Sequence, residues 1–125
     1  MLQLNTLELA ILQEIAIFNN AKYALVVEHV SSLVVETRKI IRGGICVTFN
    51  YSKPVAPILK DNQPLEALLT GDRMIALPSL KAGLGYVLDI VEGKCCSLDI
   101  YTNSDEQWNG NYDGFEFIEK NQWES

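Results

Sequence analysis

The groups able to do chemistry in this chain are few. They are the adjacent cysteines Cys95 and Cys96, the single histidine His29, the strand carboxylates Asp89 and Asp99, and the step Gly83-Leu84-Gly85. A catalytic thiol needs a neighbour that lowers its pKa, and beside Cys95 only Lys94 offers that. A zinc site needs ligands at CxxC-like spacing, whereas this chain has three cysteines with no such spacing and one imidazole. A dinucleotide loop runs strand, glycines, helix, because the helix N-terminus holds the pyrophosphate. Here the glycines precede a strand and the third glycine is missing, so they read as places where the backbone bends or packs closely. His29 reads as a helix-end or surface residue meeting terminal carbonyls. Asp89 and Asp99 share a sheet face on this reading, with Arg38 and Lys39 as cross-sheet partners. No catalytic residue, metal ligand or cofactor is assigned.

The richest polar stretch is "DIYTNSDEQWNGNYDG", residues 99–114. It interleaves Asp99, Asp105, Glu106 and Asp113 with Tyr101, Trp108 and Tyr112. Carboxylates beside aromatics suit a protein interface, the acids steering and the rings anchoring. The equal alternative for Trp108 is that it folds back to cover an open sheet edge. The charge distribution fits a partner of one sign, beside the commoner role of an acidic surface in solubility. Residues 1–88 hold 8 basic and 7 acidic groups, net +1, and residues 89–125 hold 2 basic and 9 acidic groups, net −7. Such a surface attracts a basic protein and repels nucleic acid, which needs clustered Lys and Arg.

These residues must be carried by elements, and the pattern supplies them. Asn5 caps a first helix with Glu8 completing a capping box. Leu7, Ala10, Ile11, Ile15 and Phe18 then recur at helical spacing, and Asn19-Asn20 ends the run. A second helix from Ala21 to about Val30 is weakened by Val26-Val27. "LVVETRKII" and "ICVTFNY" flank "RGG" as a hairpin, with Gly43 or Gly44 at positive φ and Ile45, Val47, Phe49 and Tyr51 on one face. Three prolines mark residues 52–72 as a connection, with one helical turn from Pro64 through Leu69. A strand over Arg73–Leu77, a hairpin over residues 84–102 and a closing strand "FEFIE" follow.

The hairpin register decides what the cysteines are. A three-residue loop Val91-Glu92-Gly93 puts Leu84, Tyr86, Leu88 and Ile90 on one face with Cys96, Leu98 and Ile100. Val87, Asp89, Cys95, Ser97, Asp99 and Tyr101 then take the other. Neighbouring strand residues point apart, so Cys95 and Cys96 form no disulfide, and Cys96 is the core thiol on this reading.

The segment "TLELAILQEIA", then Arg38, Gly44 and Phe49, then Leu80, Gly83, Gly85, Tyr86, Gly93, Leu98, Asp99, Tyr101, Asp105, Glu106 and Trp108 form a pattern. In it the chain resembles a family of small bacterial proteins with a TLE-A-IL--IA helix and a G-x-G-aromatic hairpin leading to an acidic-Trp loop. Arg42 stands where a first turn glycine is usual in that family, and Asp99 replaces a usual Glu. The resemblance implies the α+β architecture and no activity. In size, charge and class the chain is also similar to immunity proteins, which neutralise secreted toxins.

The expectation is one α+β domain over residues 1–125, two N-terminal helices packed on an antiparallel, meander-like sheet of about five to six strands. Its apolar runs are shorter than the roughly 20 residues of a membrane span. The N-terminus lacks a basic region and carries Glu8 and Glu14 within its apolar stretch, so a cytoplasmic protein is expected. The leading functional reading is a non-catalytic immunity protein occluding a basic toxin such as a nuclease. The alternatives are a small-molecule-binding domain or enzyme with a pocket between helices and sheet, and a structural homodimer joined through an edge strand.

Overall fold

The computed structural model of the chain describes residues 2–20, 22–23, 25–41 and 43–119. The α+β class is borne out. Among these residues helix α1 (Thr6–Asn19) and the short α2 (Leu25–Val30) precede nine strands: β1 (Leu33–Ile41), β2 (Gly44–Tyr51), β3 (Leu59–Lys60), β4 (Gln63–Pro64), β5 (Ala67–Leu69), β6 (Arg73–Leu77), β7 (Leu80–Val91), β8 (Lys94–Thr102) and β9 (Glu116–Glu119). Ala21 and Ala24, expected in the second helix, lie outside the described residues. The main sheet is antiparallel in the order β1-β2-β8-β7-β6-β9, and β5 joins β7 beyond the end of β6. β6, β7 and β8 form a meander; β2 docks on β8, and β9 returns to pair with β6.

Helix α1 starts as its sequence dictates. The Asn5 side chain accepts from the Glu8 N–H and the Glu8 carboxylate accepts from the Asn5 N–H, both at 2.8 Å. A cap of this kind is worth about 1 kcal/mol. Leu7, Ile11, Leu12 and Ile15 turn inward and are buried against the sheet. The facing residues are Val35, Val47, Ile75, Leu84, Leu88, Leu98 and Ile100, all in one apolar cluster with α2's Val26 and Val30.

Both carboxylates of α1 are buried and each meets an arginine from the sheet. Arg38 of β1 grips Glu8 through two nitrogens, at 2.6 and 2.8 Å, and also donates to the Gln3 carbonyl. Arg73 of β6 donates to Glu14 at 2.5 Å and lies over the Phe117 ring. The helix is thus clamped near its start to β1 and near its end to β6. The sequence reading placed Arg38 toward Asp89 and Asp99, and the structure corrects that. A bulge at Glu36, between the pairs Val35↔Phe49 and Thr37↔Thr48, reverses the alternation. Arg38 therefore sits opposite buried Val47 on the helix side, while Lys39 takes the outer face.

The connection also differs from expectation. In place of a helical turn at Pro64 there is a small hairpin, β3–β4, turned by Asp61 and Asn62 with φ of 54° and 63°. Residues with short polar side chains tolerate that left-handed conformation, so the turn is a matched pair that outvotes a helical start. Residues 67–69 then extend onto β7 as β5.

The β7–β8 hairpin turns through Glu92 and Gly93 alone, both at positive φ, pairing Val91 with Lys94. This two-residue turn replaces the expected three-residue loop. It would put Leu98 and Ile100 on the wrong face, but a bulge intervenes. Ile90 pairs with Cys95 and Asp89 with Ser97, leaving Cys96 as the extra residue. Every other residue keeps its expected side and the two cysteines exchange theirs: Cys95 is buried at 2% exposure and Cys96 is exposed.

Candidate functional site

Among the described residues no helix covers the outer face of the sheet, and its register gives three rows across β2, β8 and β7. They are Gly44–Tyr101–Gly85, Cys46–Asp99–Val87 and Thr48–Ser97–Asp89. Lys39 extends the second row through Cys46, and Thr37 extends the third through Thr48. Asp89 and Asp99 do share a face, as expected. Lys39 lies two strands from Asp99 in the same row, and among the described residues the ion pairs formed are those of Glu8 and Glu14. Burial first, then the Asp99 carboxylate, pushes the Cys46 thiol up to about 11, so it stays protonated at neutral pH.

Tyr101 is held by a glycine. A Cβ on Gly85 would lie 2.5 Å from the Tyr101 ring, so the ring lies directly over that backbone while remaining 42% exposed. Gly44, on the other side of Tyr101, is required by the close approach of β2 to β8; a Cβ there would stand 2.1 Å from the Ile100 carbonyl oxygen. The "GLG" step is a backbone device: Gly83 takes φ +68° in an irregular part of β7, and Gly85 makes the seat for Tyr101.

Beyond Tyr101 the chain leaves the sheet and borders an open cleft of about 630 Å³. It is lined by Gly43, Tyr101, Thr102, Ser104, Asp105 and Glu106 with Gln107. Asp105 and Asp113 are exposed and Asp99 is half-buried. Glu106 is spent internally: it accepts from the Lys81 N–H at 2.8 Å, the Ala82 N–H at 3.3 Å and the Ser104 hydroxyl at 3.1 Å. Desolvation raises its carboxyl pKa, but these donors outweigh it and leave the group below the usual range. Trp108 is buried at 7% exposure, and its indole N–H donates to the Asn111 carbonyl at 2.9 Å. Tyr112 is half-buried edge-on to Phe115. The seven expected partner residues therefore divide. Glu106, Trp108 and Tyr112 brace the loop, while Asp99, Tyr101, Asp105 and Asp113 remain accessible in part or whole.

A second polar cluster lies at the other end of the hairpin. His29, expected at a helix end or surface, is fully buried. Its Nε2 lies 2.7 Å from the Ala56 carbonyl, which only accepts, so Nε2 carries the proton. Its Nδ1 then accepts from the Tyr51 hydroxyl at 2.7 Å, and that hydroxyl accepts from the Cys95 N–H at 2.7 Å. Lys94 reaches the Val55 carbonyl and lies over the Tyr51 ring. Burial is the main force lowering the His29 pKa, and it keeps the ring neutral. Burial also pushes the Cys95 thiol up to about 11, the reverse of what a nucleophile needs. Sequence reasoning missed this cluster because its members are 22 and 44 residues apart in pairs and nothing local ties Tyr51 to either partner. The one available signal was a tyrosine ending an apolar strand face, since a buried phenol needs a polar partner.

No helix among the described residues is long and apolar enough to cross a membrane. No group of three or more metal-ligating side chains converges among them. In comparisons with protein families, curated proteins and solved structures, nothing matches this chain.

Proposed function

We propose that this protein is a non-catalytic binding protein of the cytoplasm that occludes a basic protein partner, most concretely an immunity protein for a basic bacterial toxin such as a nuclease. The observation that carries the reading is the state of the acids at the end of the β7–β8 hairpin. Asp105 and Asp113 are exposed and the exposed face of Tyr101 borders the same cleft as Asp105. The segment that supplies them belongs to residues 89–125, with net charge −7. Exposed carboxylates steer a cationic surface by long-range attraction, and a ring already seated on Gly85 offers contact area at little entropic cost. Glu106 and Trp108 act in this scheme by holding the loop in shape.

The test is co-purification with the product of the adjacent gene, then binding kinetics of the Asp105→Lys, Asp113→Lys variant. Charge reversal is expected to slow association at least tenfold at low salt, with the difference shrinking as salt rises. A neighbouring product that is no toxin, or association unaffected by the reversal, overturns the reading.

A second reading has one observation in its favour. His29 and Cys95 both reach the Tyr51 hydroxyl, beside an open groove of about 490 Å³ along Tyr51, Lys94 and Cys95. A ligand-binding or enzymatic role would use that cluster. The burial of Cys95 and its raised pKa weigh against it.

A further inference from the structure

The acidic loop contains one step at which the chain can react with itself. Asn109 is exposed and is followed by Gly110, which has φ +91° and no side chain to shield its backbone nitrogen. The Asn109 side-chain oxygen accepts from the Asn111 N–H at 2.9 Å. The ring closed by that bond contains both the Asn109 Cγ and the Gly110 nitrogen, and the bond draws electron density from Cγ. Among the described residues the Gly110 N–H meets no acceptor, and the Asn109 amide nitrogen meets none either. Nucleophile, electrophile and leaving group are thus adjacent and uncommitted.

The other asparagines lack this arrangement. Each of them precedes a residue with a Cβ, which crowds the nitrogen that has to attack. Asn19 and Asn103 also have their amide nitrogens tied to backbone carbonyls, Asn19 to Ile15 and Thr70 and Asn103 to Ala82. Asn5 is engaged as the cap of α1. Asn109 alone joins exposure, a following glycine and a free amide nitrogen among the described residues.

We propose that Asn109 is a site of self-modification, converted in the folded chain to aspartate and isoaspartate through a cyclic imide. The Gly110 nitrogen gives its proton to hydroxide and bonds to the Asn109 Cγ. The bond from Cγ to Nδ2 breaks, and ammonia leaves with a proton from water. A water molecule then opens the imide at either of its two carbonyls. One water is consumed and one ammonia released, with no change of oxidation state. Either opening leaves one new carboxylate, which takes residues 89–125 from −7 to −8. Opening at Cγ's side of the ring nitrogen restores the ordinary backbone as aspartate, whose oxygen can still accept from the Asn111 N–H. The other opening inserts a methylene into the main chain. That chain runs between Trp108, whose indole is fixed to the Asn111 carbonyl, and Gly110, which packs close to Ile45, so one of these contacts must give. The reaction needs water alone, and it stands whether or not the protein binds a basic partner.

Incubation of the intact chain in mildly alkaline buffer tests this, read by anion exchange, peptide mass mapping and enzymatic methylation of isoaspartate. The native protein is expected to form a species with one more negative charge and an equal amount of ammonia. Mapping is expected to place the exchange of amide for acid at Asn109. The rate should rise about tenfold per pH unit, because one proton leaves before the attack. Asn109→Gln, which needs a larger ring, should suppress the reaction with unchanged circular dichroism, since the position is exposed. A native chain that forms no acidic species overturns the proposal. So does amide loss that comes first at Asn103 or another asparagine, loss that persists in Asn109→Gln, or loss confined to the urea-unfolded chain.

Discussion

The two faces of the sheet spend their polar groups in opposite ways. On the helix side, Glu8, Glu14, His29 and Ser32 are buried, and no buried side-chain nitrogen or oxygen among the described residues lacks a hydrogen-bond partner. On the outer side, Lys39, Asp89, Asp99 and Tyr101 stand in rows with one another and with Cys46, Ser97 and Gly85, and keep contact with water. Buried groups of the first kind are committed, because losing one partner leaves a desolvated charge or dipole. Groups of the second kind are free to meet something else at small cost to the fold. The chain has a surplus of acids, and the structure disposes of two by pairing them under the helix and leaves Asp105, Asp113, Glu116 and Glu119 outside, with Glu106 held by the backbone of β7.

Three substitution experiments would break or sharpen this contrast. The largest effect is expected from Arg38→Met, which strands Glu8 at 2% exposure. Urea unfolding should show a loss of about 3 kcal/mol, and adding Glu8→Leu should recover part of it, because the stranded charge goes. A loss below about 0.5 kcal/mol, the range of ordinary surface changes, would place Glu8 with the outer carboxylates.

Next is acid sensitivity. The folded pKa of His29 lies below its ordinary 6.5, chiefly through burial; the Ala56 carbonyl and Glu28 oppose this, and Lys94 reinforces it. The unfolded chain therefore takes up the proton first. Stability holds above about pH 6.5 and falls as pH drops below it, with a slope of at most about 1.4 kcal/mol per pH unit until the folded pKa is reached. In His29→Gln the slope between pH 6.5 and 5 should disappear. The Glu106 carboxyl, lowered from 4.5, contributes only in a more acid window.

The smallest effect on stability, and the finest test of the two faces, comes from the adjacent thiols. Cys96→Ser should change stability by less than about 0.5 kcal/mol. A maleimide followed by mass spectrometry should label Cys96 rapidly in the native chain. Cys95, buried with its pKa raised to about 11, should react only on unfolding. Rapid labelling of Cys95 would overturn the bulge and restore the simpler alternation.

Much of the fold was legible because local signals agreed with the final packing. The Asn5–Glu8 box, the alternation of "ICVTFNY" and the span of "LVVETRKII" each specify an element without help from elsewhere. What escaped notice depended on one-residue irregularities. The Glu36 and Cys96 bulges are invisible to periodicity, and each reversed an assignment, Arg38 in one case and the cysteines in the other. The candidate site was legible in composition and illegible in role. Nothing in "NSDEQW" separates Glu106, which ties down Lys81 and Ala82, from Asp105 beside it. That distinction is a matter of which backbone N–H groups lie nearby, and those belong to a strand 24 or 25 residues earlier.

The bulge at Cys96 also bears on how this hairpin tolerates changes of length. A two-residue turn alone would set Leu98 opposite Val87 and Ile100 opposite Gly85, turning both leucine and isoleucine to water. The extra residue restores them to Leu88 and Tyr86. Turn and bulge therefore compensate one another as a pair of frame changes. A hairpin shortened by Cys96 keeps its turn and lets Ser97 follow Cys95 in unbroken pairing with every core residue on its own side. By contrast, one residue added at Glu92-Gly93 lengthens the loop to three and can leave the Val91↔Lys94 pair and the register beyond it unchanged. What the turn does not admit is a side chain on Gly93, since even a single carbon there would lie 2.6 Å from Pro57. Cys96 is therefore the position at which this hairpin is expected to lose a residue at least cost to its core, and Gly93 the one least able to gain a side chain.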